Sequence, residues 1–321
     1  MKKIIIIIVY FGKFPEWFEL FLESCKTNKT IDWIIFTDNK FSKKANNIKF
    51  KKFNLIDLNK LATKKLNQKI SIKNNYKICD LRPAFGKIFE DYLKNYDFYG
   101  YGDIDVIYGK LRKFLTNKIL QHKIISFHNN ILSGHLCFFK NMEENKKIFK
   151  KIPWFIKKVN DRQHFGLDEH IAFQAINHSK LYVYIYHFIN DNIMNINEIT
   201  NKFKKKFKKI PKKKLQGKYP YYKKKQNIFI ELYTTPNLKF IPWIYGKKEY
   251  PTEWYWKNGK LTNNINGNIE FIYFHFMVWK GGHFKKYNGY GLWEEKKSII
   301  NGNIKNLKKG FKINKFGFFP L

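Results

Sequence analysis

The segment 4–10, near the start of the chain, is an unbroken run of apolar, mostly β-branched residues. Such runs are typical of parallel strands that are covered on both faces. A helix is predicted next, because Pro15 suits a first helical turn and Glu16 favours the positive end of the helix dipole. The predicted buried face of this helix consists of Phe18, Phe21, Leu22 and Cys25. A second apolar strand at 33–36 completes a strand–helix–strand unit, which predicts a right-handed crossover and a parallel sheet.

The same alternation continues through the first half of the chain. A strand is predicted at 48–53 and a helix at 58–66, and a longer helix over 80–96 leads directly into a strand at 98–102. The remaining predicted segments are a strand at 136–139, a helix at 168–177, and strands at 229–233, 254–261 and 269–277. Asn258-Gly259 predicts a hairpin turn within 254–261. These patterns predict an α/β fold with a mixed sheet flanked by helices and a β-rich C-terminal part.

The composition fits a large folded core but not a specific nucleic-acid binder. Hydrophobic residues make up 44% of the 321 residues, which is enough for one large domain with or without a subdomain. The net charge is +37, yet the 62 basic residues include only three arginines, Arg82, Arg112 and Arg162. Specific readers of nucleic acid favour arginine for its planar fork. Biased base composition of the gene explains the lysines most simply, and an anionic membrane surface or phosphorylated acceptor is the alternative.

The cysteines and the apolar segments bear on the compartment. Cys25, Cys79 and Cys137 are odd in number and lack metal-ligand spacing, which favours a reducing, cytoplasmic compartment. The basic residues before the run at 4–10 resemble a short signal peptide, but no small-residue cleavage site follows. A buried first strand is the preferred interpretation. No run of 18 apolar residues occurs, so we expect no transmembrane helix.

Two aspartates one residue apart follow the predicted strand at 98–102. Asp103 and Asp105 can share a face, since side chains at i and i+2 of an extended segment point the same way. Their charges repel unless a cation lies between them, and carboxylate oxygens suit Mg²⁺ or Mn²⁺. Magnesium is usually held by one or two carboxylates together with substrate phosphates. The pair therefore predicts a diphosphate-binding metal site, and a chance Asp-x-Asp in a solvated turn is the alternative.

Five short motifs occur along the chain in a recognisable order. They are Tyr10-Phe11-Gly12, Phe36-Thr37-Asp38, Cys79-Asp80-Leu81-Arg82-Pro83-Ala84-Phe85-Gly86, Gly102-Asp103-Ile104-Asp105 and Phe274-His275-Phe276. In this order the chain resembles glycosyltransferases of the GT-A fold, most closely the bacterial capsular-polysaccharide-type glycosyltransferase-like proteins. The resemblance implies a UDP- or GDP-sugar donor, an Mn²⁺ or Mg²⁺ cofactor, and sugar transfer to a hydroxyl of a glycan or lipid-linked acceptor in surface polysaccharide or glycan biosynthesis.

The resemblance also assigns the metal site. Asp105 is expected to bind the metal directly, and Asp103 to contact the donor ribose or reach the metal through water. His275 is expected to be the third metal ligand, with a satisfied core histidine as the alternative. Lys280, five residues later, is a candidate for contact with the diphosphate.

The remaining candidates surround the expected donor and acceptor. The nucleotide is expected near Tyr10, Phe11, Gly12 and Asp38, with a helix or turn cap as the alternative for Asp38. The regions of Asp80, Arg82, Gly134 and His135 border the donor. Arg82 has two interpretations, an ion pair with Asp80 or contact with an acidic group of the donor. Asp168 and Glu169 are candidates for the general base that deprotonates the acceptor, with Asp168 preferred. Helix capping is the alternative for either residue.

We predict three parts: a nucleotide-sugar-binding core over 1–200, a lysine-rich surface insertion over 201–226, and a β-rich part over 227–321 that completes the site. The insertion, from Lys202 to Lys225, is a candidate for peripheral contact with the inner membrane face. Three alternative functions stay open. A nucleotidyltransferase would share the two-carboxylate site but needs a glycine-rich basic loop, for which Gly12-Lys13 is too sparse. The others are a nucleotide-sugar hydrolase and a non-enzymatic basic protein that binds membrane or nucleic acid.

Overall fold

The structure, a computed structural model, describes residues 1–41, 45–128, 131–193, 222–224, 227–229, 251–280, 293 and 296–321. It confirms the predicted α/β class: a mixed sheet is flanked by helices, and the C-terminal part is rich in strands. The strands are β1 Ile4–Val9, β2 Ile31–Thr37, β3 Ile48–Lys52, β4 Phe98–Gly102, β5 Val106–Tyr108, β6 Ile124–Ser126, β7 Leu136–Lys140, β8 Tyr222–Lys224, β9 Asn227–Phe229, β10 Glu253–Lys257, β11 Lys260–Asn263, β12 Tyr273–His275, β13 Phe311–Asn314 and β14 Gly317–Pro320.

Most of the helices are short. The α-helices are α1 Phe18–Lys26, α2 Leu55–Leu66, α3 Ile78–Leu81, α4 Phe85–Ile88, α5 Leu111–Phe114, α6 Glu143–Lys146, α7 Phe155–Asn160, α8 Ala172–Asn177, α9 Lys180–Ile193, α10 Met277–Lys280 and α11 Ile304–Leu307. The 3₁₀ turns are Asn75–Lys77, Arg82–Ala84, Glu90–Tyr92, Ile119–Gln121 and Ile148–Lys151, and a π-helical turn spans Leu167–Ile171.

The main sheet has the strand order β3-β2-β1-β4-β7-β6-β9-β8. Strands β3, β2, β1 and β4 run parallel, and β7 is antiparallel to β4. Strand β1 is buried on both faces, as its sequence predicts: Ile5 and Ile7 pack into one core and Ile4, Ile6 and Ile8 into another. Because β1, β2 and β4 are parallel, the segments that follow them, 10–12, 38 and 103–105, meet at one edge of the sheet.

The C-terminal part adds two smaller sheets. Strand β12 pairs antiparallel with β5, and β11-β10-β13-β14 form a four-stranded sheet over an aromatic core. The predicted hairpin turn is confirmed between β10 and β11, where Asn258 and Gly259 have φ of 50° and 78°. Positive φ at both positions is the requirement of a type I′ turn.

Several predicted elements differ from the structure. The helix predicted over 80–96 is a series of short helical segments. Pro83, which has no N–H to donate, explains the interruption between α3 and α4. The helix predicted at 168–177 opens with the π-helical turn, and the strand predicted at 269–277 is limited to β12. Of the insertion predicted at 201–226, only 222–224 lies within the described residues, and of the strand predicted at 229–233, only Phe229.

Two smaller predictions concern thiols and membrane spans. All three cysteines are free thiols. Within the described ranges, no helix combines the length and the apolar character that a bilayer crossing requires.

Candidate metal and donor site

Asp103, Asp105 and His275 meet at the carboxyl end of β4. One ligand atom from each lies within 4.8 Å of the others. The backbone produces this arrangement, since β12 pairs with β5 in a register that places His275 opposite Val106. In addition, the Phe276 N–H donates to the Asp105 carbonyl over 3.1 Å. Carboxylate oxygens suit Mg²⁺ and Mn²⁺, and imidazole also binds divalent transition metals. The donor set therefore fits a divalent cation.

Asp105 is buried and lies between two basic side chains. Lys280 Nζ is 2.6 Å from its Oδ2, and His275 Nε2 is 3.5 Å from its Oδ1. Burial alone would raise the pKa of Asp105, but Lys280 and His275 outweigh it and hold that pKa well below its usual range. Burial also opposes the charge of Lys280, yet Asp105 raises the pKa of the ammonium. Both groups are therefore charged at neutral pH.

Arg82 joins the metal-site aspartates to the second acidic group. Its guanidinium contacts Asp103 Oδ1, donates to Asp168 Oδ2 over 2.9 Å and donates to the Gly134 carbonyl over 2.8 Å. The predicted ion pair with Asp80 is wrong, because Asp80 pairs with Lys77 over 2.8 Å instead. Arg82 therefore belongs to the site, and its partners are acids of the chain itself.

Asp80 supports the site from behind. It is fully buried and accepts the backbone N–H groups of Phe165 and Leu167 over 3.0 and 2.9 Å. Burial would raise its pKa, but His164, Lys77 and these N–H groups lower it to about 2. The structure thus corrects the expected donor contact: Asp80 anchors the loop that leads to Asp168.

Asp168 and Glu169 occupy the first turn after Gly166, whose φ of 62° is left-handed. Burial is the main cause that raises their pKa values, to about 6 for Asp168 and about 7 for Glu169. The negative charge of Asp103 raises the pKa of Asp168 further, and the negative charge of Asp168 raises the pKa of Glu169 further. Perturbed acids of this kind are typical of active sites.

Gly134 lies directly against these two acids. A Cβ at this position would lie 2.8 Å from Glu169 Oε1 and 3.0 Å from Asp168 Oδ2. Gly134 therefore leaves room for these two acids, and its expected place beside the donor stays a prediction. The neighbouring His135 has a different place.

His135 is buried behind His275 rather than exposed to a sugar, which corrects its predicted donor contact. Its ring stacks on His275 with centroids 4.0 Å apart, and its Nε2 is 2.7 Å from the Tyr273 hydroxyl. Burial and the neighbouring His275 lower the pKa of His135, so it is neutral at pH 7. The sequence analysis did not select Tyr273. Its position two residues before His275 places both side chains on the same face of the strand, which would have indicated Tyr273 as a neighbour of the site.

The expected nucleotide residues lie at the ends of β1 and β2. The Gly12 N–H donates to Asp38 Oδ1 over 2.9 Å, and both residues are exposed. Tyr10 is half-buried and stacks on Phe14 with centroids 5.6 Å apart. Phe11 is different, because its ring is buried in the core. The structure therefore corrects the expected contact of Phe11 with a nucleotide, whereas Tyr10, Gly12 and Asp38 lie at the carboxyl edge.

Comparison with known proteins places the chain in a family. A comparison with curated proteins gives no match. Residues 6–321, almost the whole chain, match a family model described as "Family of unknown function (DUF6625)". The chain therefore belongs to the DUF6625 family, and the matched range includes every site residue described above.

Proposed function

We propose that this chain is a metal-dependent glycosyltransferase of the GT-A type, which transfers a sugar from a UDP- or GDP-sugar to an acceptor hydroxyl. One observation carries the proposal: Asp103, Asp105 and His275, which could hold a metal ion, are joined through Arg82 to Asp168 at the carboxyl edge of the parallel strands. Ligands of open α/β sheets bind at this edge.

Asp103, Asp105 and His275 would hold Mn²⁺ or Mg²⁺. When bound, the ion supplies Lewis-acid stabilisation of the negative charge that develops on a diphosphate leaving group. Asp105 suits the role of direct ligand, because it is buried and remains ionised at neutral pH. His135, which is hydrogen-bonded to the Tyr273 hydroxyl, stacks on the His275 ring and limits its movement.

Glu169, rather than Asp168, is the proposed general base. Asp168 is 2% exposed, and its Oδ2 accepts a hydrogen bond from Arg82. Glu169 is more exposed than Asp168, and its pKa of about 7 leaves it able to accept a proton at neutral pH. Asp168 then orients Arg82. This assignment revises the preference for Asp168 that the sequence suggested.

The rest of the proposal concerns the donor, the acceptor and the location. Tyr10, Gly12 and Asp38 are the residues available to a nucleotide at the edge of the sheet. The acceptor is a glycan or a lipid-linked glycan. A cytoplasmic location with peripheral membrane contact through residues 202–225 belongs to the same proposal, and only 222–224 of that segment lie within the described residues.

The test is a donor screen with two readouts. The protein is incubated with Mn²⁺ and a panel of UDP- and GDP-sugars, and thermal stabilisation and nucleotide release are measured. At least one donor is expected to raise the melting temperature and to release nucleotide in the presence of an acceptor. Nucleotide release without any transferred sugar would identify a hydrolase instead.

Asp105→Asn tests the metal site within this screen. It is expected to lower nucleotide release at least about 100-fold, because metal stabilisation of a leaving group supplies several kcal/mol. The matched control is Asp91→Asn, which removes an exposed carboxylate paired with Lys65 in the turn that precedes β4 and should retain activity. Equal activity of the two variants would refute the proposed function.

A further inference from the structure

We infer that Lys280 is an internal competitor of the metal ion, and that displacing it couples metal binding to binding of a nucleoside diphosphate. This inference rests on the proposed function, because it assigns a regulatory role within the same site. It concerns the state of the site before donor binding and can be tested with the metal alone.

The position of Lys280 is the first observation. Its Nζ lies 2.6 Å from Asp105 Oδ2, on a carboxylate that the metal would use. Asp105 is 5% exposed, so it has little access to water that could replace a lost partner. An ammonium and a divalent cation bound to the same carboxylate repel each other, so a metal ion on Asp105 weakens its contact with Lys280. Metal binding therefore favours release of Lys280.

The balance of charges is the second observation. Arg82 contacts Asp103 while Lys280 contacts Asp105, so each metal-site aspartate already has a basic partner from the chain. Arg82 is held by Asp168 and by the Gly134 carbonyl as well. In contrast, the side chain of Lys280 is 43% exposed, so it can leave Asp105 without crossing the core. Lys280 is the more readily displaced of the two cations.

A diphosphate gives the displaced ammonium a new partner. The phosphate oxygens of a nucleoside diphosphate carry the negative charge that Lys280 loses when the metal takes Asp105. The metal and the diphosphate should then each strengthen the binding of the other, because coupling between two ligands is reciprocal. Without a diphosphate, Lys280 keeps metal affinity low.

The experiment measures Mn²⁺ binding through the electron paramagnetic resonance signal of free Mn²⁺. Lys280→Gln is expected to bind Mn²⁺ at least about ten-fold more tightly than the wild type, because the ion no longer competes with a charge-assisted hydrogen bond to Asp105. Lys280→Arg keeps the charge and should bind as weakly as the wild type. The matched control is Lys308→Gln, which breaks a 2.7 Å surface ion pair with Glu19 and should leave Mn²⁺ binding unchanged.

Addition of UDP or GDP gives the second readout, corrected for Mn²⁺ bound by the nucleotide itself. The nucleotide should tighten Mn²⁺ binding to the wild type more than to Lys280→Gln. Equal Mn²⁺ affinities of the wild type and Lys280→Gln would overturn the inference, even if the donor screen succeeds. A donor screen without any active donor, together with tighter Mn²⁺ binding by Lys280→Gln, would instead refute the transferase and leave the competition by Lys280 standing. Lack of Mn²⁺ binding by every variant would overturn both.

Discussion

Glu169→Gln should stabilise the metal-free protein at pH 8 while abolishing catalysis. Burial, together with the charge of Asp168, raises the pKa of Glu169 from an ordinary 4.5 to about 7. Above pH 7 the native state must therefore hold an ionised carboxylate in unfavourable surroundings. Glutamine has nearly the same shape and no charge, so it removes this cost.

The size of the effect follows from the pKa. A rise from 4.5 to about 7 corresponds to a cost of ~3.4 kcal/mol, at ~1.36 kcal/mol for each tenfold change in proton affinity. Asp168 and Glu169 titrate together, so their costs overlap. We expect Glu169→Gln to raise the free energy of unfolding at pH 8 by on the order of 1–3 kcal/mol.

The pH dependence has a definite sign. Below pH 4.5 the carboxyl is protonated in both states and costs nothing. Between 4.5 and about 7 the native state keeps a proton that the unfolded chain loses, so wild-type stability falls as the pH rises. The advantage of Glu169→Gln should therefore be small at pH 4.5 and fully developed at pH 8.

The assay is urea unfolding of the wild type and Glu169→Gln in EDTA at pH 4.5 and pH 8. The difference between the two proteins cancels other titrating groups. Glu144→Gln is the matched control, because Lys123 lowers the pKa of Glu144 and its removal should not stabilise. If Glu169→Gln is no more stable than the wild type at pH 8, Glu169 does not have a raised pKa and the argument for it as the base fails.

Three further changes test other parts of the site. Gly134→Ala should lower kcat at least about tenfold with little change in melting temperature, because the added Cβ would push the side chain of Glu169 out of position. Steady-state kinetics and a melting curve measure the two effects, and an unchanged kcat would contradict the prediction. Arg82→Met should destabilise by ~3 kcal/mol in urea unfolding, since it leaves the buried Asp168 without its cation; a neutral effect would show that the ion pair is dispensable. Asp80→Asn should lower the free energy of unfolding in urea at pH 7 by ~2 kcal/mol. This difference should shrink as the pH falls from 3.8 towards about 2, the lowered pKa of Asp80. A difference that does not change with pH would refute the electrostatic role of Asp80.

Much of the fold could be predicted from local sequence pattern. The run at 4–10 is a buried strand, and the aspartates of Gly102-Asp103-Ile104-Asp105 follow β4 as predicted. The type I′ turn at Asn258-Gly259 was predictable for the same reason. Each of these features depends on residues that are neighbours along the chain, and periodicity and turn preference act over that range.

The pairing of side chains depended on the tertiary structure. Arg82 was a candidate from its motif, but only the fold joins it to Asp103 and Asp168, which are 21 and 86 residues away. Asp80 lies in the same motif and is instead buried against Lys77. No local pattern distinguishes these two outcomes, because which partner is in reach depends on how distant elements pack.

The same division applies to the chemistry of the site. The sequence by itself determined which acids are available and that Asp103 and Asp105 come at a strand end. The tertiary structure decided that Lys280 holds Asp105 and that Glu169 has a pKa near 7. The physical reason is that proton affinity and ion pairing depend on burial and on charges a few ångströms away, and those surroundings exist only after the chain has folded.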